Sequence, residues 1–411
     1  MTVKDPQSLA EEREARFFGA MELKATDRVP FTGLGGDIVA AYGGISNAEY
    51  TFDYDLQRQA TVKYLRDFPS DLPASGGAGI GNIFLSLAFL DFPDLSTSIA
   101  FTTGPYNDVL GVKFCRFPGR ELPDNSSMQY LGGAYMEPKE YDELIADPVK
   151  FSYEKIVPRT STNLENLSSP TALATMARLG IEMAKHRASS RALGKELAAL
   201  GYPSVVRGLG WAPLDYIGDQ LRDIPNLVLD LRRHPDKVKA AVEALMEPLL
   251  KMSLMYKDVG AKYIFIPLHL NEYLSPKLYN EFFWPTLKEI ILKLFEAGLK
   301  SQVFFEGWQD PHLETILELP AGWGVAYFEK TDVRKAKKLL QGHTCIMGGI
   351  DVSDIISSTP AKLDQYVKEL FAEMMPGGGF IFSPNIGYLP RETPIENVRA
   401  VYEAVEKYGK Y

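Results

Sequence analysis

The chain has 411 residues, of which 45% are hydrophobic and 24% charged, and its formal net charge at pH 7 is −9. These values are ordinary for a globular protein, so they exclude a disordered chain and a basic nucleic-acid-binding surface. Its two cysteines are too few for a disulfide framework. The polar N-terminus and the lack of a long apolar run lead us to expect a soluble cytoplasmic protein.

The first half of the chain is predicted to contain helices and a few short strands. An amphipathic helix over 8–24 is followed by a first strand over 29–34, because Pro30 disfavours helix at Val29. Three short segments rich in β-forming residues then predict a β-hairpin insertion. They cover 98–103, 112–117 and 129–135. Helices are predicted over 137–146 and 170–200.

From residue 204 onward, short apolar strands alternate with helices. The predicted strands cover 204–208, 262–268, 302–305, 324–328, 344–347 and 380–383, and the predicted helices 215–231, 235–259, 275–298, 312–319, 332–340, 352–374 and 394–408. This alternation is typical of parallel strands covered by helices. It favours a closed barrel over an open doubly wound sheet, and no G-x-G-x-x-G turn supports a dinucleotide fold. We therefore predict an α/β protein: a (β/α)8 TIM barrel with an N-terminal helical extension and a β-hairpin insertion, forming a single domain over 1–411.

Polar or ionisable residues follow several of the predicted strands. His269, Glu306, Glu329 and Asn385 each come after the end of a strand. In a barrel of this type, the active site lies at the carboxyl ends of the strands. We therefore expect these side chains to meet at one mouth of the barrel.

His269, Glu306 and Glu329 are the predicted catalytic residues. An imidazole and two carboxylates can bind Zn²⁺ with an open position for a substrate atom, and such an ion would act as a Lewis acid. Glu306 or Glu329 can instead serve as a general acid or base. A third interpretation is a hydrogen-bonded rim in which His269 only orients a carboxylate.

Four blocks of the sequence resemble the uroporphyrinogen decarboxylase superfamily. They cover 208–238, 263–298, 335–355 and 379–408, and the tetrapeptide Asp27-Arg28-Val29-Pro30 matches the entry into the first strand of that family. The resemblance implies the barrel fold and one of two activities, decarboxylation or corrinoid-linked methyl transfer.

Departures from the family motifs favour methyl transfer. True decarboxylases of the family have an arginine-rich motif after the first strand and a histidine in the closing block, whereas residues 32–37 and 384–387 have neither. The branch that transfers methyl groups to coenzyme M has zinc ligands His-x-Cys and a closing Cys. Here Phe304-Phe305-Glu306 and Asn385-Ile386 take those places. The resemblance is closest to proteins of corrinoid methyl transfer, such as the O-demethylation of methyl ethers in anaerobes.

The sequence therefore predicts a methyltransferase that moves a methyl group from a small, O-methylated substrate to the cobalt of a separate corrinoid protein. His269 and Glu306, with or without zinc, would polarise the leaving atom. The predicted substrate-binding residues are Asp215 and Asn385 for positioning, the aromatic residues Trp211, Tyr216 and Phe305, and Arg207. The resemblance also implies a homodimer.

Two alternatives remain at this point. A cofactor-free decarboxylase would need a cation to hold the substrate carboxylate, for which Arg207 is the candidate. A barrel without activity would bind a tetrapyrrole or dock a partner, although ionisable groups at strand ends are costly to bury without a task.

Overall fold

A computed structural model describes residues 5–74 and 79–411 of the chain. The N-terminal part is helical, with α1 (Pro6–Met21), α2 (Ile38–Gly43), α3 (Asn47–Phe52) and α4 (Tyr54–Asp67). Helix α1 begins where the Asp5 side chain accepts a hydrogen bond from the Ser8 amide at 3.2 Å. The predicted N-terminal helical extension is confirmed, with bounds two to three residues earlier than predicted.

The next part of the chain is mixed. It comprises β1 (Gly79–Gly81), α5 (Ile83–Ala88), α6 (Pro93–Ile99), β2 (Phe101–Thr103), α7 (Gly104–Leu110), β3 (Cys115–Arg116), β4 (Gln129–Tyr130), α8 (Tyr141–Ala146), α9 (Pro148–Phe151), α10 (Val157–Thr160) and α11 (Pro170–Ala199). A π-helix, Ser152–Ile156, joins α9 to α10.

The remaining strands alternate with helices. In chain order they are β5 (Val206–Leu209), α12 (Pro213–Tyr216), α13 (Ile224–Arg233), α14 (Pro235–Asp258), β6 (Ala261–Leu268), α15 (Pro276–Leu278), α16 (Trp284–Glu296), β7 (Lys300–Phe305), β8 (Gly324–Phe328), α17 (Val333–Leu340), β9 (Cys345–Ile350), α18 (Val352–Ser357), α19 (Pro360–Met374), β10 (Phe380–Pro384) and α20 (Ile395–Tyr408). Two further π-helices cover Ile217–Arg222 and Tyr279–Phe283, and a 3-10 helix covers Asp310–Glu318.

The chain divides into two compact units. The first comprises Met1–Gly77, Ala188–Val205 and Gln302–Tyr411, and the second comprises Ala78–Arg187 and Val206–Ser301. The prediction of a single domain stays a prediction. Among the described residues, no helix combines the length and apolar character that crossing a bilayer requires.

In the described part of the second unit, the strands form three pairs. Strands β5 and β6 are parallel, with Arg207 opposite Tyr263 and Leu209 opposite Phe265. Antiparallel pairs are formed by β1 with β2 and by β3 with β4. The β3–β4 pair is the predicted hairpin insertion, shorter than expected. Residues 98 and 99 belong to α6 rather than to a strand, because Pro93 starts a helix there.

The first unit contains the other parallel strands. Strand β8 pairs with β9 and β9 pairs with β10, while β7 lies beside β8. All residues of β8 and β10 are buried, as in parallel sheets with helices on their faces. The predicted α/β class with parallel strands and covering helices is confirmed. In the described part of the chain, these parallel strands number six rather than the eight of a complete barrel.

The predicted first strand over 29–34 is extended but is not a regular strand. It makes one parallel bridge, from Phe31 to Phe382 of β10, in which the Phe382 amide donates to the Pro30 carbonyl at 2.8 Å. Pro30 has no N–H to donate, which limits the ladder. A second bridge joins Gly36 to Leu389, and a Cβ atom at Gly36 would lie 2.4 Å from the Leu389 nitrogen. This close approach, together with a φ of +112°, requires glycine at position 36.

Prolines interrupt three helices that we predicted to be continuous. Residues 215–231 form α12, a π-helix and then α13, and residues 275–298 form α15, a π-helix and then α16. Pro225 and Pro285 stand at the second positions of α13 and α16, and Pro360 starts α19 after a break in the predicted helix 352–374. A proline inside a helix removes one i to i−4 hydrogen bond, so the helix ends or changes register there.

Candidate active site

The candidate site is built at the carboxyl ends of β5 and β6 in the second unit. Because the two strands are parallel, the segments that follow them start side by side. Trp211 follows β5, and His269 follows β6 directly. Helix α12 and the π-helix after it then place Asp215 and Asp219 four residues apart on one helical segment.

Asp215, Asp219 and His269 form a cluster, which we call the Asp–Asp–His cluster. Each offers a ligand-type oxygen or nitrogen, and these atoms lie within 4.8 Å of one another. The Nδ1 atom of His269 is 2.6 Å from Oδ2 of Asp219. Oδ1 of Asp215 accepts hydrogen bonds from the backbone amides of His269 at 3.3 Å and Leu270 at 2.9 Å. The helical carboxylates therefore hold the histidine loop by both side chain and backbone.

Asp215 has an unusual environment for a carboxylate. Its side chain is fully buried, and its Oδ2 atom has no hydrogen-bond partner. Burial, and secondly the nearby charge of Asp219, raise the pKa of Asp215 well above its usual value. The indole Nε1 of Trp211 and Oε1 of Gln220 are also buried without a partner. Unpaired buried polar atoms are rare in folded proteins, and at a cluster of ionisable groups they indicate a binding site.

The π-helix with Asp219 is attached to the hairpin insertion. The Tyr130 hydroxyl of β4 donates to the Asp219 carbonyl, and Nε2 of Gln220 donates to that hydroxyl at 3.2 Å. The amides of Tyr135 and Met136 both donate to the Leu221 carbonyl at 2.8 Å. In a regular helix the Leu221 carbonyl would accept a hydrogen bond from the amide of residue 225. That residue is Pro225, which has no N–H, so the hairpin segment supplies the donors instead.

The predicted substrate-binding residues of this unit lie at different places. Trp211 is beside the cluster, with its ring centroid 6.2 Å from that of His269. Tyr216 is fully buried next to Asp215 in sequence, but its hydroxyl is hydrogen-bonded to Oγ of Ser152 at 3.0 Å. Arg207 is exposed on β5, with its guanidinium 4.9 Å from the centre of the Phe265 ring.

The other predicted site residues belong to the first unit. Glu329 follows β8, and its Oε2 accepts a hydrogen bond from the Gly307 amide at 2.6 Å, next to Glu306. Phe305 is fully buried and stacks on Phe328 with ring centroids 5.5 Å apart. The roles of Glu306, Glu329 and Phe305, and the zinc set that joins His269 to both glutamates, stay predictions.

Asn385, also in the first unit, stabilises a turn after β10. Its Oδ1 accepts hydrogen bonds from the amides of Val352 at 3.0 Å and Ile386 at 2.9 Å. This is a structural use of the side-chain oxygen at the start of α18. Its predicted role in positioning the substrate stays a prediction.

Asp219 is the cluster member that our sequence analysis missed. Asp215 and Asp219 stand four residues apart in a predicted helix that follows a strand, a spacing that places two side chains on the same face. That spacing is the signal that points to Asp219. No comparable signal identifies Tyr130, because its contact with Asp219 joins residues 89 positions apart.

The cysteines do not offer a thiolate metal site. Cys115 lies in β3 and Cys345 in β9, and both are buried and free. Burial raises the pKa of Cys115 to about 12 and that of Cys345 still further. A thiolate is the form that binds zinc, so these protonated cysteines do not fit the ligand set of the coenzyme M branch.

Comparisons with known proteins agree with the fold. Residues 208–408 match the family model described as uroporphyrinogen decarboxylase (URO-D). A methyltransferase from Methanosarcina mazei has a similar structure, with a TM-score of 0.63 and 14% identity over 96% of this chain and 98% of that chain. A B12-independent methionine synthase from Shewanella sp. W3-18-1, in complex with selenomethionine, reaches a TM-score of 0.36 at 14% identity over 49% of this chain and 62% of that chain.

No curated protein matches the sequence. The likeness to the Methanosarcina mazei methyltransferase extends over nearly the whole chain, and at 14% identity it concerns the fold. The family model includes Asp215, Asp219 and His269 within its matched residues. Residues 208–408, a little under half of the chain, thus resemble the uroporphyrinogen decarboxylase family, as the sequence blocks predicted.

Proposed function

We propose that the chain is a methyltransferase that moves a methyl group from a small O-methylated substrate to the cobalt of a separate corrinoid protein. The observation on which this rests is the Asp–Asp–His cluster beside Trp211, at the carboxyl ends of two parallel strands. The carboxyl ends of parallel strands are where α/β enzymes place their chemistry. The fold shared with a methyltransferase supports the same activity.

The reaction needs a group that polarises the leaving oxygen. The bond between oxygen and methyl breaks, the electron pair of Co(I) forms the new cobalt–methyl bond, and cobalt becomes Co(III). The leaving oxygen keeps the electron pair of the broken bond and takes up one proton. An alcohol is a poor leaving group unless this developing charge is stabilised, so an electrophile at the oxygen lowers the barrier.

His269 is the central residue of this proposal. Its side chain is 30% exposed, so it can reach a substrate, whereas Asp219 behind it is buried and fixes the ring through Nδ1. A buried carboxylate that accepts from a histidine orients the ring and stabilises its charged form. Asp215 holds the adjoining backbone, and Trp211 offers an apolar wall for the substrate.

Zinc belongs to the proposal as the electrophile that the sequence predicted. His269 is common to the predicted set with Glu306 and Glu329 and to the cluster with Asp215 and Asp219. The cluster fits such an ion because it combines oxygen and nitrogen donors with a buried oxygen that has no partner. A bound zinc ion would supply Lewis-acid polarisation of the leaving oxygen. The predicted homodimer stays a prediction.

The test is a methyl-transfer assay with free cobalamin as the acceptor. Purified protein is mixed under reducing, oxygen-free conditions with cob(I)alamin and a panel of aryl and alkyl methyl ethers. Formation of methylcobalamin is followed by its visible spectrum. We expect turnover with at least one ether, and a rate lower by about 100-fold or more in His269→Ala and Asp219→Asn.

A matched control removes a carboxylate elsewhere. Asp236 is exposed in the first turn of α14, so Asp236→Asn should keep the wild-type rate. If no ether methylates cobalamin and carbon dioxide is released from a carboxylated substrate instead, the alternative decarboxylase is correct and the methyltransferase proposal is wrong.

A further inference from the structure

Several buried carboxylates in the described part of the chain are matched by a cation. In the described residues, three of them contact an arginine: Asp71 contacts Arg16 and Arg28, Glu140 contacts Arg159, and Asp230 contacts Arg222. Such pairing is expected, because a buried charge without a partner costs several kcal/mol. A buried acid that lacks a cation therefore stands out.

Asp215 and Asp219 differ from these three acids. Both are buried, they lie in one cluster, and the described chain supplies neither with a lysine or arginine. The basic side chain of the cluster is His269, whose ring contacts Asp219. In addition, Oδ2 of Asp215 is buried and accepts no hydrogen bond. The cluster thus has two carboxylates, one unused buried oxygen and no fixed cation.

We propose that Asp215, Asp219 and His269 bind a divalent metal ion of the zinc class, through oxygen and nitrogen donors alone. This site differs from the thiolate set of the coenzyme M branch and from the His269, Glu306 and Glu329 set predicted from the sequence. The metal site stands on the cluster geometry, and its use as the Lewis acid rests on the proposed function.

The size of the cluster suits a single atom. Zinc lies about 2.0–2.2 Å from oxygen and nitrogen ligands, so two ligands of a tetrahedral zinc ion are about 3.3–3.6 Å apart. The three donor atoms lie within 4.8 Å of one another. Rotation of the carboxylates about their side-chain bonds can bring the donor atoms to this spacing.

The donor set determines the kind of ion. One imidazole and two carboxylates suit Zn²⁺ and related first-row ions, while Mg²⁺ and Ca²⁺ prefer oxygen donors only. Three protein ligands leave at least one position for a substrate oxygen or water. The Asp215 side of the site is preorganised, because Oδ1 of Asp215 already accepts hydrogen bonds from two backbone amides.

Metal binding is tested on the full chain without any methyl substrate. Metal-free protein is titrated with Zn²⁺ by calorimetry and with Co²⁺ by visible spectroscopy. We expect about one ion per chain, a rise in Tm on binding, and Co²⁺ d–d bands without the near-ultraviolet band of thiolate ligation. Asp215→Asn, Asp219→Asn and His269→Ala should each weaken binding by about 100-fold or more.

The exposed carboxylate variant Asp236→Asn is the control and should bind both metals as the wild type does. If a cluster variant fails to fold by circular dichroism, the other two decide. Wild-type protein that binds neither ion, or cluster variants that bind as tightly as wild type, would overturn the inference. Methyl transfer that continues in chelator-treated protein overturns the Lewis-acid use but leaves the proposed function intact. Metal binding without methyl transfer from any ether to cobalamin would overturn the proposed function but leave the metal site intact.

Discussion

Asp71 in the first unit and Asp215 in the second are both fully buried aspartates, but their partners differ. Oδ1 of Asp71 accepts from Arg16 and, at 3.0 Å, from Arg28, and its Oδ2 accepts from the Phe31 amide at 2.8 Å. Both oxygens of Asp71 are thus used, and one of them by two arginines. Asp215 uses one oxygen for two amides and leaves the other without a partner.

The difference separates an acid that is paired for structure from one that we propose has a function. The arginines tie α1 and the extended segment at Phe31 to Asp71, so this carboxylate helps to hold the N-terminal extension in place. The Asp–Asp–His cluster is less favourable in free energy, because two carboxylates lie close together and the basic side chain of the cluster is a histidine. Proteins retain such unfavourable arrangements where a ligand or substrate compensates for them.

The largest expected effect is at Asp71. Asp71→Asn leaves Arg16 and Arg28 without their shared buried anion, and we expect a loss of about 3–5 kcal/mol in the free energy of unfolding. Urea denaturation followed by circular dichroism measures this loss. A change of less than about 1 kcal/mol would show that Asp71 is not structural in the way its contacts indicate.

Asp215 should respond in the opposite direction. Because burial raises the pKa of folded Asp215, metal-free wild type loses stability as the pH rises from the unfolded value of about 3.9 toward the folded pKa. Asp215→Asn has no such group, so at neutral pH it should be more stable than metal-free wild type, by on the order of 1 kcal/mol.

The measurement for Asp215 is urea denaturation of both proteins at pH 4 and pH 7 with a chelator present. The two unfolding free energies should agree at the lower pH and differ at the higher one. A variant that is less stable than wild type at pH 7 would contradict the assignment of Asp215 as a binding residue rather than a structural one.

Tyr130 tests how the hairpin positions the cluster. Tyr130→Phe removes the hydroxyl that donates to the Asp219 carbonyl, at an expected cost of about 0.5–1.5 kcal/mol. If Tyr130 positions Asp219 for catalysis, kcat of the methyl-transfer assay should fall while KM changes little. Tyr135→Phe is the matched control, because its hydroxyl donates to Gly132 within the same hairpin at 3.1 Å. Equal kcat values in the two variants would remove the positioning role.

The smallest effect is expected at the Glu140–Arg159 pair. The hydrogen bond from Arg159 lowers the pKa of Glu140 to about 2. A lowered folded pKa gives stability that is present above the unfolded pKa and is lost as the pH falls from about 4.3 toward 2. Arg159 is 36% exposed, so solvent screens the pair and the contribution should stay below about 1 kcal/mol. In Glu140→Gln, the free energy of unfolding should fall less between about pH 4.3 and pH 2, by less than about 1 kcal/mol. An unchanged pH dependence would show that other groups cause the loss of stability in acid.

Much of the fold follows from local patterns. The alternation of short apolar strands with helices predicts the parallel strands from residue 204 onward, and the predicted positions of β6, β7, β8 and β10 agree with the structure within two residues. The interrupted helices were predicted less well. Pro225, Pro285 and Pro360 were visible in the sequence, but how far each one breaks its helix depends on what replaces the missing hydrogen bond, as the hairpin does at Leu221.

The candidate site was predicted in part. His269 was singled out because it follows a strand, Asp215 and Trp211 were predicted to bind substrate, and the structure places these three together. A residue's position after a strand tells which edge of the sheet it occupies, but not the direction of its side chain. The same rule also selected Asn385, whose side-chain oxygen stabilises a turn, and the prediction of substrate-binding aromatics included Tyr216, whose hydroxyl is hydrogen-bonded to Ser152.

Periodicity, proline and capping residues are encoded within a few neighbouring positions, so the elements and their class can be deduced from the chain as written. The partner of His269 depends instead on contacts between distant residues. The parallel pairing of β5 with β6 brings position 269 to Asp215, and the π-helix, held by Tyr130, turns Asp219 toward the same ring. Such contacts form only in the packed chain, where distant segments supply hydrogen-bond partners for the backbone groups that prolines and strand ends leave unpaired.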